Sequence, residues 1–198
     1  MRIFFGSKDR KEYLRLLGKY GRLHGMHFAG YVLMDNHIHF IGVPEREDSL
    51  RRAIGEAHRQ YTRAINRRMK KKGYLFQGRP YSCPLDDDHC LAALLYVERN
   101  PVRARMVPQP WDYQWSGARY HVGLVDKDPL IDIDYLASRQ LSTKEWREFL
   151  QSDPSQMRNI RKSTKSGRPC GDKAFVRRLE EVTGRVLQRR RPGPRSRS

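Results

Sequence analysis

The sequence lacks the features that mark three large classes of protein. Its three cysteines form no C-x-x-C pair, so neither a disulfide framework nor a zinc finger is indicated. No apolar run approaches the ~20 residues that a membrane-spanning helix needs, and no signal-like apolar segment opens the chain. Internal repeats are also missing. We therefore expect reduced thiols in a cytoplasmic protein that is not inserted in a membrane.

Acidic residues are scarce. The 198 residues include 22 Asp and Glu against 40 Lys and Arg, and the formal net charge is +18. A charge of this size says little about the fold, but it indicates a polyanionic partner, most simply nucleic acid. A ribosome-associated or other RNA-binding protein would show the same excess. The charge by itself therefore does not indicate an enzyme.

Apolar periodicity indicates a mixed α+β chain. Residues at helical spacing predict helices over 7–24, 48–71, 87–99, 142–150 and 172–187. Aromatic and β-branched runs over 26–34 and 37–43 flank an Asp-Asn turn signal and predict a β-hairpin. The helix over 87–99 should end near Asn100, because Pro101 disfavours the helical conformation in the residue before it. The C-terminal tail is too charged and too rich in Pro and Gly to fold alone.

Two histidines, His37 and His39, open the second arm of the hairpin in the stretch "MDNHIHF". Residues i and i+2 of a strand share a face, so both imidazoles should project side by side while Ile38 enters the core. Neutral imidazole is a common metal ligand, and the pair is a candidate half of a metal site. The alternative is two histidines on the wet face of an amphipathic strand.

The helix over 87–99 offers a third ligand and a nucleophile. Tyr96 and Asn100 lie four residues apart, hence on one face of the helix. An amide oxygen is an acceptable ligand for a hard divalent ion, and a phenol can attack a phosphate that a metal has polarised. Because a phenol has a pKa near ~10, it needs nearby positive charge or the metal to ionise. The alternatives are a core aromatic and a helix cap before proline.

The long helix over 48–71 carries many basic side chains and few acidic ones. Solvated faces normally mix both signs, so this helix indicates contact with phosphates. Aromatics around Arg79 in "GYLFQGRPYSCPL" suit stacking on unpaired bases, and they equally suit a core edge. The candidate nucleic-acid contacts are Arg51, Arg52, Arg59, Arg63, Arg67, Arg68, Lys70, Lys71, Lys72, Arg79, Arg103, Arg189, Arg190 and Arg191.

Four stretches in order resemble one known family. "YVLMDNHIHFIGVP", "GYLFQGRPY", "LLYVERNPVRARMV" and "WSGARYHVG" resemble the REP-associated tyrosine transposases of bacteria, within the single-tyrosine HUH (IS200-like) transposases. The first stretch matches the family's His-hydrophobic-His signature, and the third its tyrosine helix ending in "NPVRA". The resemblance runs from about residue 3 to residue 124. A histidine pair alone would be weak, whereas four ordered blocks are specific.

This resemblance implies an enzyme that cuts and rejoins single-stranded DNA near hairpins. It implies a ferredoxin-like antiparallel sheet with helices on one face over 1–125, followed by a helical, basic DNA-binding region over 126–198. It assigns His37 and His39 as ligands of Mg²⁺ or Mn²⁺, Asn100 as the residue that completes the metal site, and Tyr96 as the nucleophile that ends on the 5′-phosphate. The partner would be single-stranded or hairpin DNA, bound by a monomer or homodimer. The tail's "RRRPGPR" resembles an AT-hook, and a generic polybasic tail is the alternative.

One departure from the family affects this expectation. Family members usually begin with a strand upstream of the segment resembling "IFF", whereas this chain starts almost on top of it. We expect a sheet without its first strand, unless the start lies upstream or another segment fills the gap. The alternative function is a nucleic-acid-binding protein without cleavage, such as a repressor or domesticated remnant. A pure binder does not need His37, His39 and Tyr96, so their presence together favours the enzyme.

Overall fold

The structure, a computed structural model, describes residues 2–78, 80–152 and 167–188. The chain divides into two compact units: Met1–Pro80 with Ala93–Ser155, and Tyr81–Ala92 with Gln156–Ser198. Residues soon after 125 contact β1 within the first unit: the backbone N–H of Phe28 donates to Asp132 Oδ1 at 2.6 Å, for example.

Two long helices form one side of the first unit. Helix α1 (Ser7–His24) ends because Gly25 adopts a left-handed conformation with φ 63° and returns its N–H to the Gly21 carbonyl. Helix α2 (Ser49–Met69) packs along it through buried aromatic rings, with the Tyr13 and Tyr61 centroids 5.2 Å apart. Both helices agree with the predicted ranges, because each has an apolar stripe at helical spacing that the other covers.

The predicted hairpin is confirmed. Strand β1 (Met26–Leu33) pairs antiparallel with β2 (Ile38–Pro44), and its register sets Val32 opposite His39. Among the described residues these two strands make up the sheet, and an isolated bridge joins Val32 to Ser116. Residues 73–85, where an irregular segment or short strand was expected, are irregular in their described part apart from a bridge at Leu85. The fold is α+β.

A broken helix carries Leu94, which packs against the hairpin. Helix α3 (Asp87–Glu98) ends at the predicted place, but Asn100 then opens a one-turn helix, α4 (Asn100–Arg103). Pro101 fits the first turn of α4, because backbone N–H groups in the first turn of a helix make no intrahelical hydrogen bond and proline has none to donate. Leu94 is fully buried against Gly30 of β1, where a Cβ atom would collide with the leucine side chain. The contact holds the Ala93–Glu98 part of α3 close to the sheet.

Shorter helices complete the first unit. These are α5 (Ala118–His121), α6 (Tyr135–Ser138) and α7 (Thr143–Gln151). The capping box predicted for the start of α7 is present: Ser142 N–H donates to Glu145 at 2.8 Å, and Glu145 N–H donates to Ser142 Oγ at 3.2 Å. The described ranges contain no helix that is both long enough and apolar enough to cross a membrane.

The second unit contains α8 (Lys173–Thr183) and a loop held by polar contacts. The Cys83 thiol donates to the Arg168 carbonyl at 2.8 Å, and Asp86 accepts the Asp172 N–H at 2.9 Å. Burial raises the pKa of Cys83 to about 11, so this thiol stays protonated. Helix α8 is shorter than predicted, because Gly184 takes a left-handed conformation (φ 63°) and ends it.

Candidate active site

The hairpin turn brings the two histidines together. The Met34 N–H donates to the His37 carbonyl at 3.0 Å and closes the turn, after which His39 lies in β2 opposite Val32. The two imidazole centroids are 4.9 Å apart, and their planes cross at 81°. The alternation of side chains along an extended segment explains this neighbourhood, as the sequence predicted.

Both imidazoles are neutral at pH 7. Burial, together with the positive charge of nearby Arg103 and the neighbouring His37, lowers the pKa of His39 to about 4. The same loss of water lowers the pKa of His37. His37 Nδ1 lies 2.7 Å from Asn36 Oδ1, and an amide oxygen only accepts, so Nδ1 carries the proton. The lone pair of His37 is therefore on Nε2, the atom that could bind a metal ion.

Tyr96 reaches the histidine pair from α3. Its ring centroid is 5.8 Å from that of His39, with an interplanar angle of 79°, and the residue is 8% exposed. The Arg103 guanidinium carbon lies 4.7 Å from the centre of the Tyr96 ring, within the range of a cation–π interaction. Arg103, predicted as a nucleic-acid contact, is thus a direct neighbour of the candidate nucleophile.

Asn100 lies one turn after Tyr96 and is joined to it. Its side-chain Nδ2 donates to the Tyr96 carbonyl oxygen at 3.3 Å. This hydrogen bond joins Asn100 to the helix backbone and not to an imidazole. The structure therefore brings His39 into contact with both His37 and Tyr96, and it links Asn100 to them through the backbone of Tyr96.

A buried polar cluster lies two residues beyond Tyr96. Glu98 is completely buried, His121 is 2% exposed, and Trp146 is completely buried. His121 Nδ1 is 2.5 Å from Glu98 Oε1, and Trp146 Nε1 donates to Glu98 Oε2 at 3.0 Å. Burial acts against protonation of His121, but the Glu98 carboxylate prevails and raises the pKa of His121. The cluster fixes the end of the helix that carries Tyr96.

Sequence analysis did not identify this cluster. Its one local signal was Glu98 itself, a carboxylate at the end of the apolar run "LAALLYV". A charged residue in such a position needs partners when it is buried. Those partners, His121 and Trp146, lie on α5 and α7, so no spacing rule along the chain connects them to Glu98.

The predicted nucleic-acid contacts of α2 and the residues after it are all exposed. They are Arg51, Arg52, Arg59, Arg63, Arg67, Arg68, Lys70, Lys71 and Lys72. Arg52 and Arg59 pair with Asp48 and Glu56, each at 2.6 Å. The remaining five predicted positions differ: Arg103 contacts Tyr96, as described, and Arg79, Arg189, Arg190 and Arg191 lie outside the described residues together with the AT-hook-like tail.

Arg68 has a structural partner. Its guanidinium binds both carboxylate oxygens of Asp9, which is 3% exposed, and the hydrogen bond from Arg68 holds the pKa of Asp9 below its usual value. The second Asp9 contact is the Phe5 N–H at 2.8 Å. Arg68 therefore joins α2 to α1, and this role accounts for its position without a nucleic acid.

The described residues contain no group of three or more His, Cys, Asp and Glu side chains arranged to hold a metal ion. A metal at His37 and His39 would thus take its other ligands from a different donor, such as the Asn100 amide, water or a phosphate oxygen.

No family model, no curated protein and no solved structure matches the chain. What supports a function is the arrangement of His37, His39, Tyr96 and Arg103.

Proposed function

We propose that this chain is a metal-dependent tyrosine transposase of the HUH type, which nicks and transfers single-stranded DNA. The observation that carries the proposal is the 5.8 Å ring contact between His39 and Tyr96. A hairpin that bears a histidine pair and a helix that bears a phenol meet here, although they are far apart in the chain. The proposal includes the ferredoxin-like fold, and the antiparallel hairpin covered by helices is consistent with part of it.

The donor set fits a divalent ion. His37 and His39 are neutral neighbours, which is the form in which imidazole binds metals. Asn100 would add an amide oxygen, the kind of ligand that Mg²⁺ and Mn²⁺ favour. When bound, the ion would polarise the scissile phosphate and orient it for in-line attack. Two imidazoles also accept Zn²⁺, so the choice between metals is part of the experiment below.

The protein's own groups would carry out two transfers. In the first, the Tyr96 oxygen forms a bond to phosphorus and loses its proton to solvent, while the bond from phosphorus to the 3′-oxygen breaks and that oxygen takes up a proton. The positive charge of Arg103 beside the ring favours the negative charge that develops on the phenol. In the second, the oxygen of a 3′-hydroxyl forms a bond to phosphorus and loses its proton, while the bond from phosphorus to the Tyr96 oxygen breaks and the phenol takes up a proton. The energy of the phosphodiester bond is conserved in the phosphotyrosine, so rejoining the strand needs no nucleoside triphosphate.

One observation favours a second candidate function. Tyr96 is 8% exposed, and a side chain so covered needs movement of its surroundings to reach a scissile phosphate. A nucleic-acid-binding protein that retains the fold and performs no cleavage, such as a repressor, would tolerate a buried Tyr96. The exposed cations of α2 would serve such a protein equally well, because phosphate contacts supply most non-specific affinity.

The two functions are separated by a covalent adduct. End-labelled single-stranded hairpin DNA from the palindromes that flank the gene is incubated with the protein and Mg²⁺, Mn²⁺ or Zn²⁺, and is then analysed on a denaturing gel. We expect label that migrates with the protein and disappears with a chelator or with Tyr96→Phe. Tyr74→Phe is the matched control, because it makes the same substitution at a tyrosine that is 94% exposed and keeps the aromatic ring. Tight binding without any adduct would instead support the non-catalytic candidate.

A further inference from the structure

We infer that the groove between α1 and α2 binds a single strand of DNA through its phosphates. The choice of DNA rests on the proposed function, whereas the groove and its charge are features of the described structure. The groove has a volume of about 420 Å³ and is open to solvent. Its polar lining includes one carboxylate, one phenol and four cations: Glu12, Tyr20, Arg15, Lys19, Arg63 and Arg67.

The positive charge of this groove is not cancelled locally. Glu12, the carboxylate in the lining, is already bound by Arg15, whose Nε and Nη2 donate to it at 2.8 and 2.7 Å. Within the described ranges, no carboxylate lies at ion-pair distance from Arg63 or Arg67, although Arg52, Arg59 and Arg68 of the same helix each have one. The groove thus differs from the rest of α2 in that its two arginines are available to an external anion.

The cations form two facing rows. Arg63 and Arg67 are four residues apart on α2, and Arg15 and Lys19 are four apart on α1, so each pair is separated by about 6 Å along its helix axis. Like charges at this spacing repel each other and weaken a helix. Successive phosphates of an extended strand repeat over a comparable distance. A nucleic-acid strand in the groove would relieve the repulsion between Arg63 and Arg67, and it would also supply a counter-charge for Lys19, since Arg15 already pairs with Glu12.

An aromatic pair continues the α1 row. Tyr20 stacks on His24 with an interplanar angle of 11°, and the Lys19 ammonium lies 5.3 Å from the Tyr20 ring centre. A cationic groove with an aromatic platform is the arrangement by which proteins hold unpaired strands, because a base can stack while the backbone follows the charges. A duplex keeps its bases stacked inside and could not use the platform. This favours single-stranded DNA as the occupant.

The test measures binding of an unstructured, fluorescent single-stranded DNA oligonucleotide to the full chain, in a chelator that prevents chemistry at Tyr96. Arg63→Ala/Arg67→Ala removes two phosphate contacts from α2, and Lys19→Ala removes one from α1. Lys11→Ala/Arg22→Ala is the matched control, since both cations are exposed on α1 and lie outside the groove lining. Circular dichroism verifies that each variant is folded.

For a single strand, log affinity falls with log salt concentration, and each lost contact should reduce the magnitude of that slope by about 0.7. The Arg63/Arg67 variant should therefore lose about 1.4 from the slope, and its affinity deficit should shrink about sevenfold between 50 and 200 mM salt. Lys19→Ala should lose about 0.7, and the control should match the wild type. Equal slopes for the groove variants and the wild type would overturn the inference.

Failure of this inference is distinguishable from failure of the proposed function. If the groove variants bind DNA as the wild type does, and the protein still forms the Tyr96 adduct, the inference about the groove is overturned and the transposase proposal stands. Reduced slopes without any adduct would support the groove and count against the enzyme. Tighter binding of an RNA oligonucleotide of the same sequence, lost in the same variants, would overturn the assignment to DNA.

Discussion

Replacing Glu98 tests whether a buried charge holds the end of the helix that carries Tyr96. Glu98 accepts hydrogen bonds from His121 Nδ1 at 2.5 Å and from Trp146 Nε1 at 3.0 Å, and none of the three residues is more than 2% exposed. In Glu98→Ala both donors would remain buried without an acceptor. In Glu98→Gln one acceptor oxygen would remain, but its negative charge would be lost.

The expected loss of stability follows from these contacts. Each buried donor left unpaired costs about 1–3 kcal/mol, and removal of one partner of a buried ion pair costs about 3–5 kcal/mol. We therefore expect Glu98→Ala to lower the free energy of unfolding by about 3–5 kcal/mol. Glu98→Gln should lower it by about 1.5–3 kcal/mol, the value of a hydrogen bond to a charged group.

The pH dependence of this loss has a definite sign. The fold raises the pKa of His121, so the protonated imidazole stabilises the folded state. This contribution is complete below the pKa of the unfolded chain, about 6.5, and it disappears as the pH rises through the pKa of His121 in the folded protein. The difference between the wild type and Glu98→Gln should consequently be larger at pH 6 than at pH 9.

Urea unfolding followed by far-ultraviolet circular dichroism at both pH values measures these differences. Glu47→Ala serves as the control, because Glu47 is exposed and its loss should change the free energy of unfolding by less than about 0.5 kcal/mol. A Glu98→Ala protein within about 1 kcal/mol of the wild type would refute the reasoning, since it would mean that the carboxylate does not satisfy the two buried donors.

Two further predictions concern pairs in the first unit. His27 lies between two carboxylates, 2.7 Å from Glu45 and 3.1 Å from Asp132, and these hydrogen bonds raise its pKa. His27→Gln should therefore lose up to about 1 kcal/mol of stability at pH 6 and nothing at pH 9 in urea unfolding, and a loss that grows with pH would contradict this. Arg68→Ala should lower the free energy of unfolding by about 1.5–3 kcal/mol at pH 7, because buried Asp9 loses a bidentate partner; a thermal melt unchanged from the wild type would be incompatible with that role.

Interactions between near neighbours in the chain were predictable. Gly25 ends α1 because glycine takes the left-handed conformation easily, and Ser142 with Glu145 opens α7 because each side chain satisfies the other's backbone N–H. The neighbourhood of His37 and His39 follows from the alternation of side chains in an extended segment. Each of these features depends on residues within four positions of one another.

Predictions were less complete for the end of the last helix and for the basic face of α2. The periodic pattern extended the last helix to residue 187, whereas Gly184 ends it at Thr183. The basic face of α2 was predicted as one surface, but Arg52, Arg59 and Arg68 have carboxylate partners while Arg63 and Arg67 line a groove with α1. A helical pattern indicates which side chains point outward, but it does not indicate which residues of other elements lie opposite them.

The sequence by itself determined the α+β class, the hairpin, the positive charge and the pairing of His37 with His39, because short-range spacing and composition specify each of these. Only the tertiary structure decided that His39 meets Tyr96 and that Glu98 is enclosed by His121 and Trp146. These contacts join elements that are remote in the chain, and they exist because the apolar faces of the strands and helices must be buried against one another. Packing of apolar surface thus positioned the polar groups on which the proposed chemistry depends.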